Sequence, residues 1–571
     1  MPKGTKKRIN LIRDFKNNKE HLFWLVRQSK GFYRYIIGFL LINFAAMVLT
    51  LLSSFAGKFV VDAASRFETE VFWQYIIIMA VTTLLTIGFS FVSTLFTSYV
   101  SEKFAFSIRG EMFDRVQRSR WYEISKFHSA DILSRLTGDV STVAGAIITV
   151  IPTVTVAFIE FLVVLSILLI SDPVMAVIGL VVGPMGMLAA TFFRRRFVKY
   201  QKELRESESE YYSFFQETLS NLPVVKTFRA EDRNNKYFGT IRQRRLRLVM
   251  SSARLSSFMS VTMKVIYKLG YIAAFSWCAY RLSKGDDSYT YGTMTLFLSL
   301  VGILQNTIHN MGTIIPQSFS AVVAAKRIRA IADIGSEEYG EAGDMPSAVG
   351  LKVENLTFSY EDREILKNVA LDINPKSRVG IVGASGAGKT TFIRLMLNLV
   401  SPDSGEIKYI TDEDTCESAS VSARRFVSYV PQGNTLMSGT VRSNLMLAKE
   451  DATDDEMWHA LYLADAEEFL RKIPTGLDTE ITEKAGGLSE GQAQRIAIAR
   501  SLLRKCPVLI FDEATSALDE ETERRIFERV VKEADATCFI ITHRRSMLTY
   551  CDTVMEILAD GSVIARKQTA E

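Results

Sequence analysis

Cysteine is scarce and scattered in this chain: five in 571 residues, at positions 278, 416, 506, 538 and 551, with no CxxC spacing among them. Zinc-ribbon and disulfide frameworks are therefore not expected. The odd count, with four of the five in the second half, fits a reducing cytosol where a buried cysteine is a small hydrophobe. A secretory leader is not expected either, because the first 30 residues are polar and Lys-rich before any apolar run begins. A large net charge is missing too, at +5. That figure conceals a division, since residues 1–332 carry +19 and residues 333–571 carry −14. With 48% hydrophobic and 23% charged residues and a mean hydropathy of +0.12, the chain is neither disordered nor collagen-like. The hydropathy is high for a soluble enzyme of this length, and the apolar residues are stacked into segments.

A hydrocarbon core about 30 Å thick needs about 20 apolar helical residues, and the first half offers six such runs. Spans are expected near 35–57, 71–98, 143–171, 173–193, 258–280 and 288–318. The connections alternate in size: 63–70, 171–173 and 281–288 are short, while 102–139 and 194–254 are long, polar and helical in pattern. The second long connection holds 15 Lys and Arg, which places it, the first long connection and the N-terminal tail in the cytoplasm. A basic stripe for nucleic acid is disfavoured, as these arginines flank hydrophobic spans. Glu160, Lys264 and Lys268 fall inside spans, where a charge signals function by default. They read either as the polar lining of a transport cavity, or as a Glu160–Lys268 interhelical pair with Lys264 snorkelling to the interface.

After an acidic, Gly-rich linker at 333–348 the periodicity changes to short strands and helices. A buried strand over 377–383 runs into Gly383-Ala384-Ser385-Gly386-Ala387-Gly388-Lys389-Thr390, and an amphipathic helix is expected from Thr391 to Val400. This is GxxxxGK[ST] in its strand–loop–helix context. Backbone N–H groups can wrap phosphates there, Lys389 can reach the β- and γ-phosphates, and the Thr390 hydroxyl can ligate Mg²⁺. Downstream, the apolar strand 507–511 ends in Asp512 and Glu513, suited respectively to Mg²⁺ ligation and to deprotonating an attacking water.

The run Leu488-Ser489-Glu490-Gly491-Gln492, followed by Ala493 to Arg500, resembles the signature sequence of ABC ATPases. The resemblance covers 349–571 and implies further roles. Tyr360 corresponds to the aromatic that stacks on adenine, Thr391 to a further nucleotide contact, and Gln432 to the glutamine loop that reaches the metal. Glu483 matches the acidic residue before the signature, Ser516 to Asp519 the D-loop, and His543 the switch histidine. Residues 1–332 are similar to the transmembrane domain of type IV ABC exporters, with 129–139 just after the first coupling helix and 216–231 around the second. The implied fold is an all-α six-helix transmembrane domain, then an α/β P-loop ABC ATPase domain at 349–571.

One phosphate loop, one helix set and no internal repeat mark a half-transporter. The resemblance implies an ATP- and Mg²⁺-dependent dimer, with Ser489, Gly491 and Gln492 of one chain facing the nucleotide held by the other. A homodimer is favoured by the intact Glu513, His543 and phosphate loop, whereas Glu490, in a position usually held by Gly, keeps a heterodimer open. The expected activity is ATP-driven export or flipping of a lipophilic or amphipathic cargo (small molecule, lipid or peptide) across a bacterial inner membrane, with the ATPase in the cytoplasm. Membrane lipids are expected partners and nucleic acid is not. A heterodimeric importer of a siderophore-like ligand and an ATP-gated channel are the alternatives.

Overall fold

The computed structural model describes residues 29–285, 289–339, 345–361, 363–411, 416–433, 435–482 and 487–568. They form two compact units, Met1–Asp114 with Ser129–Asp333, and Arg115–His128 with Ile334–Glu571. Glu483 lies outside the described residues.

The first unit is built on six helices: α1 (Tyr33–Ser65), α2 (Thr69–Arg118), α3 (Ser129–Ser171), α4 (Pro173–Ser220), α5 (Glu231–Ser283) and α6 (Tyr291–Ala332). Two π-helical stretches, Arg135–Asp139 and Ala146–Val150, lie within α3. At 1.5 Å per residue, the 50 residues of α2 span about 75 Å, far more than an apolar core, as the long polar connections require. Along α2, Leu84, Ile87 and Phe91 point outward, the inverse of a water-soluble helix. Among the described residues, five helices are long and apolar enough to cross a membrane. The sixth span, expected near 288–318, is a helix but not one of those five, because Gln305, Asn306, His309 and Asn310 interrupt its apolar run.

Of these, Gln305 is buried while Asn306, His309 and Asn310 are exposed. Buried Thr307 donates to Glu160 Oε2 at 2.7 Å, joining α6 to α3. The Glu160–Lys268 pair is therefore corrected: the carboxylate has a hydroxyl partner, and Lys268 Nζ stands 5.0 Å from the Tyr271 ring centre. At the end carrying the short connections, Asp172 is buried and caps α4 by accepting from Val174 N at 2.8 Å. It also accepts from Trp277 Nε1 at 2.8 Å and from the Tyr289 hydroxyl, gathering α3, α4, α5 and the start of α6. At the same end Gly292 N donates to Asp62 Oδ1 at 2.9 Å. A Cβ on Gly292 would lie 2.1 Å from Lys58 O, so α1 and α6 approach at a spacing that only glycine allows. Gly292→Ala is expected to destabilise the protein by about 1–3 kcal/mol through overpacking. A thermal scan of the solubilised protein checks this, and an unchanged midpoint would mean the helices are not this close.

The second unit contains a six-stranded sheet in the order β12-β11-β3-β10-β9-β6 and a four-stranded antiparallel sheet in the order β2-β1-β4-β5. The strands are β1 (Val349–Tyr360), β2 (Arg363–Ile373), β3 (Arg378–Gly383), β4 (Ser404–Thr411), β5 (Cys416–Ser418), β6 (Val427–Val430), β7 (Gly439–Thr440), β8 (Glu480–Ile481), β9 (Val508–Asp512), β10 (Thr537–Ile541), β11 (Thr553–Ile557) and β12 (Val563–Lys567). Strands β9 and β10 are buried at every position, as a parallel sheet covered on both faces requires. The helices α7 (Lys389–Met396), α8 (Asp454–Leu463), α9 (Glu490–Leu503) and α10 (Glu520–Glu533) follow. One buried cluster joins β3 to α7 through Val379, Ile381 and Phe392, and another joins α8, α9 and α10 through Leu461, Ile496 and Ile526.

Two expectations change here. The helix expected over 391–400 runs from Lys389 to Met396 and stops there, with Asn398 in the left-handed region at φ 48°. The division expected at 332 falls between Asp333 and Ile334, and the second unit also takes in Arg115–His128. The cause is a set of backbone ties: Glu337 N donates to Arg118 O at 2.7 Å and Arg120 N to Gly335 O at 3.0 Å. Arg424 then grips both Glu337 carboxylate oxygens, at 2.6 and 2.9 Å.

Candidate functional site

Parallel registry brings the candidate residues to one edge. Ile381 of β3 pairs with Ile541 of β10, and Ile541 pairs with Asp512 of β9. The residues that follow each strand, Gly383 onward, Glu513 and His543, therefore leave the sheet side by side at its carboxyl edge, where α/β sheets hold ligands.

The loop between β3 and α7 turns on left-handed glycines. Gly388 caps α7 with φ 109°, and a Cβ there would meet Ile365 Cγ2 at 2.8 Å, so any other residue would open the loop. The loop leads straight into the N-terminus of α7, the positive end of the helix dipole. Lys389 is 7% exposed, and its ammonium donates to Gly383 O at 2.8 Å and Ala384 O at 3.1 Å. It is folded back along Gly383, Ala384, Ser385, Gly386 and Ala387, the stretch that would wrap phosphate. Thr391 is buried in the first turn, next to Thr390.

Asp512 is 2% exposed at the end of β9. Burial pushes its carboxyl pKa up, opposed by hydrogen bonds from Tyr429 and Thr390. The Tyr429 hydroxyl donates to Asp512 Oδ2 at 3.1 Å. A carboxylate that burial disfavours, beside a threonine hydroxyl, is an oxygen donor set that fits a divalent cation, whose charge would offset the desolvation.

Glu513 follows with φ 49°, a strained conformation for a residue with a Cβ, held by its N–H donating to Ile541 O at 3.2 Å. Its two carboxylate oxygens have separate partners. Gln432 Nε2 donates to Oε2 at 2.6 Å, and His543 Nε2 lies 3.1 Å from Oε1. Three residues separated by 81 and 30 positions thus converge on one carboxylate. Tyr360 ends β1, edge-on to Phe358 with ring centres 4.8 Å apart.

The signature residues make their contacts elsewhere. Ser489 caps α9 in a reciprocal box with Gln492: Ser489 Oγ accepts from Gln492 N at 3.3 Å, and Gln492 Oε1 accepts from Ser489 N at 2.9 Å. Glu490 and Gly491 occupy the first turn, with Glu490 exposed. Gln494 bonds the Ser516 hydroxyl at 3.2 Å and accepts from Ala517 N at 3.1 Å, tying this helix to the segment after Glu513.

Sequence reasoning missed three groups. Tyr429 orients Asp512. Arg544, next to His543, donates to buried Glu523 at 2.7 Å and to Leu518 O at 2.8 Å, bracing the histidine's backbone. Arg394 bonds the Tyr360 hydroxyl at 3.1 Å. A Tyr one position before a strand end, or an Arg in a helix turn, carries no pattern of its own, so no signal in the sequence could have singled them out.

The family model for the ABC transporter transmembrane region matches residues 35–308, and that for the ABC transporter domain matches residues 366–516. The chain is 29% identical over 527 residues to "Putative multidrug export ATP-binding/permease protein YgaD" of Bacillus subtilis, covering 89% of each. It is 26% identical over 483 residues to an ATP-dependent lipid A-core flippase of Syntrophus aciditrophicus, covering 84% of this chain and 79% of the relative. Its fold is similar to that of a bacterial Atm1-family ABC exporter with ATP bound, with a TM-score of 0.79 at 22% identity over 93% of this chain and 94% of that one. With helices fit to cross a membrane fused to a phosphate-loop ATPase, the chain belongs to the ABC transporters, as a half-transporter whose ATP hydrolysis is coupled to transport across a membrane.

Proposed function

We propose that this protein exports or flips a lipophilic or amphipathic substrate by alternating access, as one half of a homodimer in a bacterial cell membrane with its ATPase in the cytoplasm. The observation that carries the reading is the meeting of Gln432, Glu513 and His543 on one carboxylate at the sheet edge shared with Lys389. In this scheme the loop 383–390 and Thr391 hold the ATP phosphates, with the Lys389 ammonium turning from its own carbonyls to the β- and γ-phosphates. Tyr360 stacks on the base. Thr390, Asp512 and the side-chain oxygen of Gln432 would hold Mg²⁺, which when bound neutralises charge on the phosphates. Glu513, aimed by Gln432 and His543, orients the attacking water and takes its proton, while His543 reaches toward the transferring phosphoryl group.

Ser489, Gly491 and Gln492 have no such role toward their own chain's loop. They face the partner's nucleotide, and two sites form from two chains. The relatives named for lipid A-core flipping and multidrug export support an amphipathic cargo, as does the contact of Glu160 with buried Thr307 among apolar helices.

Expressed alone and placed in nanodiscs, the protein is expected to have a mass near twice its 64.2 kDa chain, and its ATPase is expected to rise with at least one lipid or drug in a panel. In proteoliposomes the same compound should move outward from the ATPase side, and only with ATP. A monomer without ATPase would overturn the homodimer, inward movement would make it an importer, and single-channel conductance would make it a channel.

A further inference from the structure

Arg394 lies on α7, five residues after Lys389, and the scheme above gives it no role. Its guanidinium makes two contacts at once. Nη1 donates to the Tyr360 hydroxyl at 3.1 Å, and Cζ stands 4.9 Å from the centre of the Trp121 ring. Trp121 opens the short helix Trp121–Ile124 in the connection between α2 and α3. The next residue, Tyr122, places its ring centre 5.9 Å from that of Tyr360. All four residues belong to one compact unit, and Trp121, Tyr122 and Tyr360 pack against the buried cluster that contains β3 and α7.

The chemistry calls for arginine. A planar guanidinium can stack on an indole and donate in its own plane at the same time, whereas a lysine ammonium is a point charge that serves one partner well. The segment 115–128 is held by its own backbone ties to 335–337. The Arg394 contacts are therefore not the segment's sole attachment.

We infer that Arg394 is a positioning residue that links Tyr360 to Trp121, so that a base stacking on Tyr360 is felt directly by the cytoplasmic connection between the second and third membrane helices. The inference rests on the base-stacking role proposed for Tyr360. Base binding orders the Tyr360 ring, the hydroxyl fixes the guanidinium, and the guanidinium fixes the indole. The converse follows by linkage: loss of the indole loosens Tyr360 and weakens ATP binding from a position that the nucleotide does not touch.

The test uses full-length protein in nanodiscs and steady-state ATPase kinetics for Tyr360→Ala, Arg394→Gln, Arg394→Lys, Trp121→Ala and the Arg394→Gln/Trp121→Ala double variant. Each of Arg394→Gln and Trp121→Ala is expected to raise the ATP KM about three- to tenfold with kcat within about twofold, the range a stacked cation and its hydrogen bond support. The double variant should be no worse than the weaker single, and Arg394→Lys should fall between wild type and Arg394→Gln. Wild-type KM in both single variants, multiplying effects in the double, or a loss confined to kcat would each overturn the inference. If Arg394→Gln fails to fold, Arg394→Lys and Trp121→Ala carry the test, and both must raise KM. If Tyr360→Ala leaves KM unchanged, the base-stacking role fails and the inference falls with it. A raised KM in Tyr360→Ala beside wild-type values for Arg394→Gln and Trp121→Ala overturns the inference alone.

Discussion

Glu513→Gln is expected to lower ATP turnover by about 10²- to 10⁴-fold, the usual contribution of a positioned general base, while ATP affinity stays near wild type. The two side chains have the same shape, so the left-handed backbone at φ 49° and the bond from Glu513 N to Ile541 O are undisturbed. The amide oxygen can still accept from Gln432, which sits 2.6 Å from the carboxylate, and the amide nitrogen can face His543. What disappears is the capacity to take a proton from water. Binding and chemistry then separate: the variant retains nucleotide and does not turn it over. Steady-state ATPase together with retention of labelled ATP after rapid desalting measures both, and hydrolysis at the wild-type rate would remove Glu513 from its role.

The strain at Glu513 supports the same assignment. A glutamate held in the left-handed region costs of order 1–3 kcal/mol, and the two hydrogen bonds to its carboxylate do not need that backbone. Leaving β9 by a sharp turn does need it. The turn lifts the carboxylate off the strand axis, so that Asp512 points into the buried interior while Glu513 points to the edge shared with His543. Two adjacent acids thereby acquire different surroundings, one 2% exposed and bonded by Tyr429, the other reachable by water.

Much of this site was legible in the residues because its chemistry is local in the chain. The phosphate loop needs its glycines and lysine in one continuous stretch, and Asp512-Glu513 must follow a fully buried strand. The geometry that joins them was not legible. Gln432, Glu513 and His543 meet only because β6, β9 and β10 pair in parallel register, and periodicity is silent about register between strands so far apart in the chain. The membrane half divides in the same way. Apolar length revealed the spans, but the polar residues of α6 interrupt its apolar run, and the pairing of Glu160 with Thr307 in place of Lys268 depends on which face of α6 meets α3. That the second unit also takes in 115–128 was not legible for a related reason. Composition changes at 332, but the segment 115–128 is held by hydrogen bonds to 335–337, and a contact between segments more than 200 residues apart leaves no trace in composition.

Lys389→Met should produce the complementary defect, loss of binding as well as turnover. The ammonium is buried and donates to two carbonyls of its own loop, Gly383 O and Ala384 O, so it is already desolvated and aimed before any phosphate arrives. Moving it onto a polyanion exchanges two neutral acceptors for charged ones, and bonds to charged groups are worth about 1.5–3 kcal/mol each. ATP affinity is therefore expected to fall by about ten- to a hundredfold, with a further loss in kcat of about 10²- to 10³-fold from the missing donor to charge that develops in the transition state. Methionine fills much of the lysine's volume, so the packing around α7 stays intact and the thermal midpoint without nucleotide should stay within a few degrees of wild type. The midpoint of wild type should rise on adding ATP, and that of Lys389→Met should not. Equal stabilisation of the two proteins by ATP, with turnover within threefold, would show that the phosphates are held somewhere other than the loop 383–390. The Glu513→Gln variant would then have to be reread as a defect in a site of unknown position, which is why the two substitutions belong in one experiment.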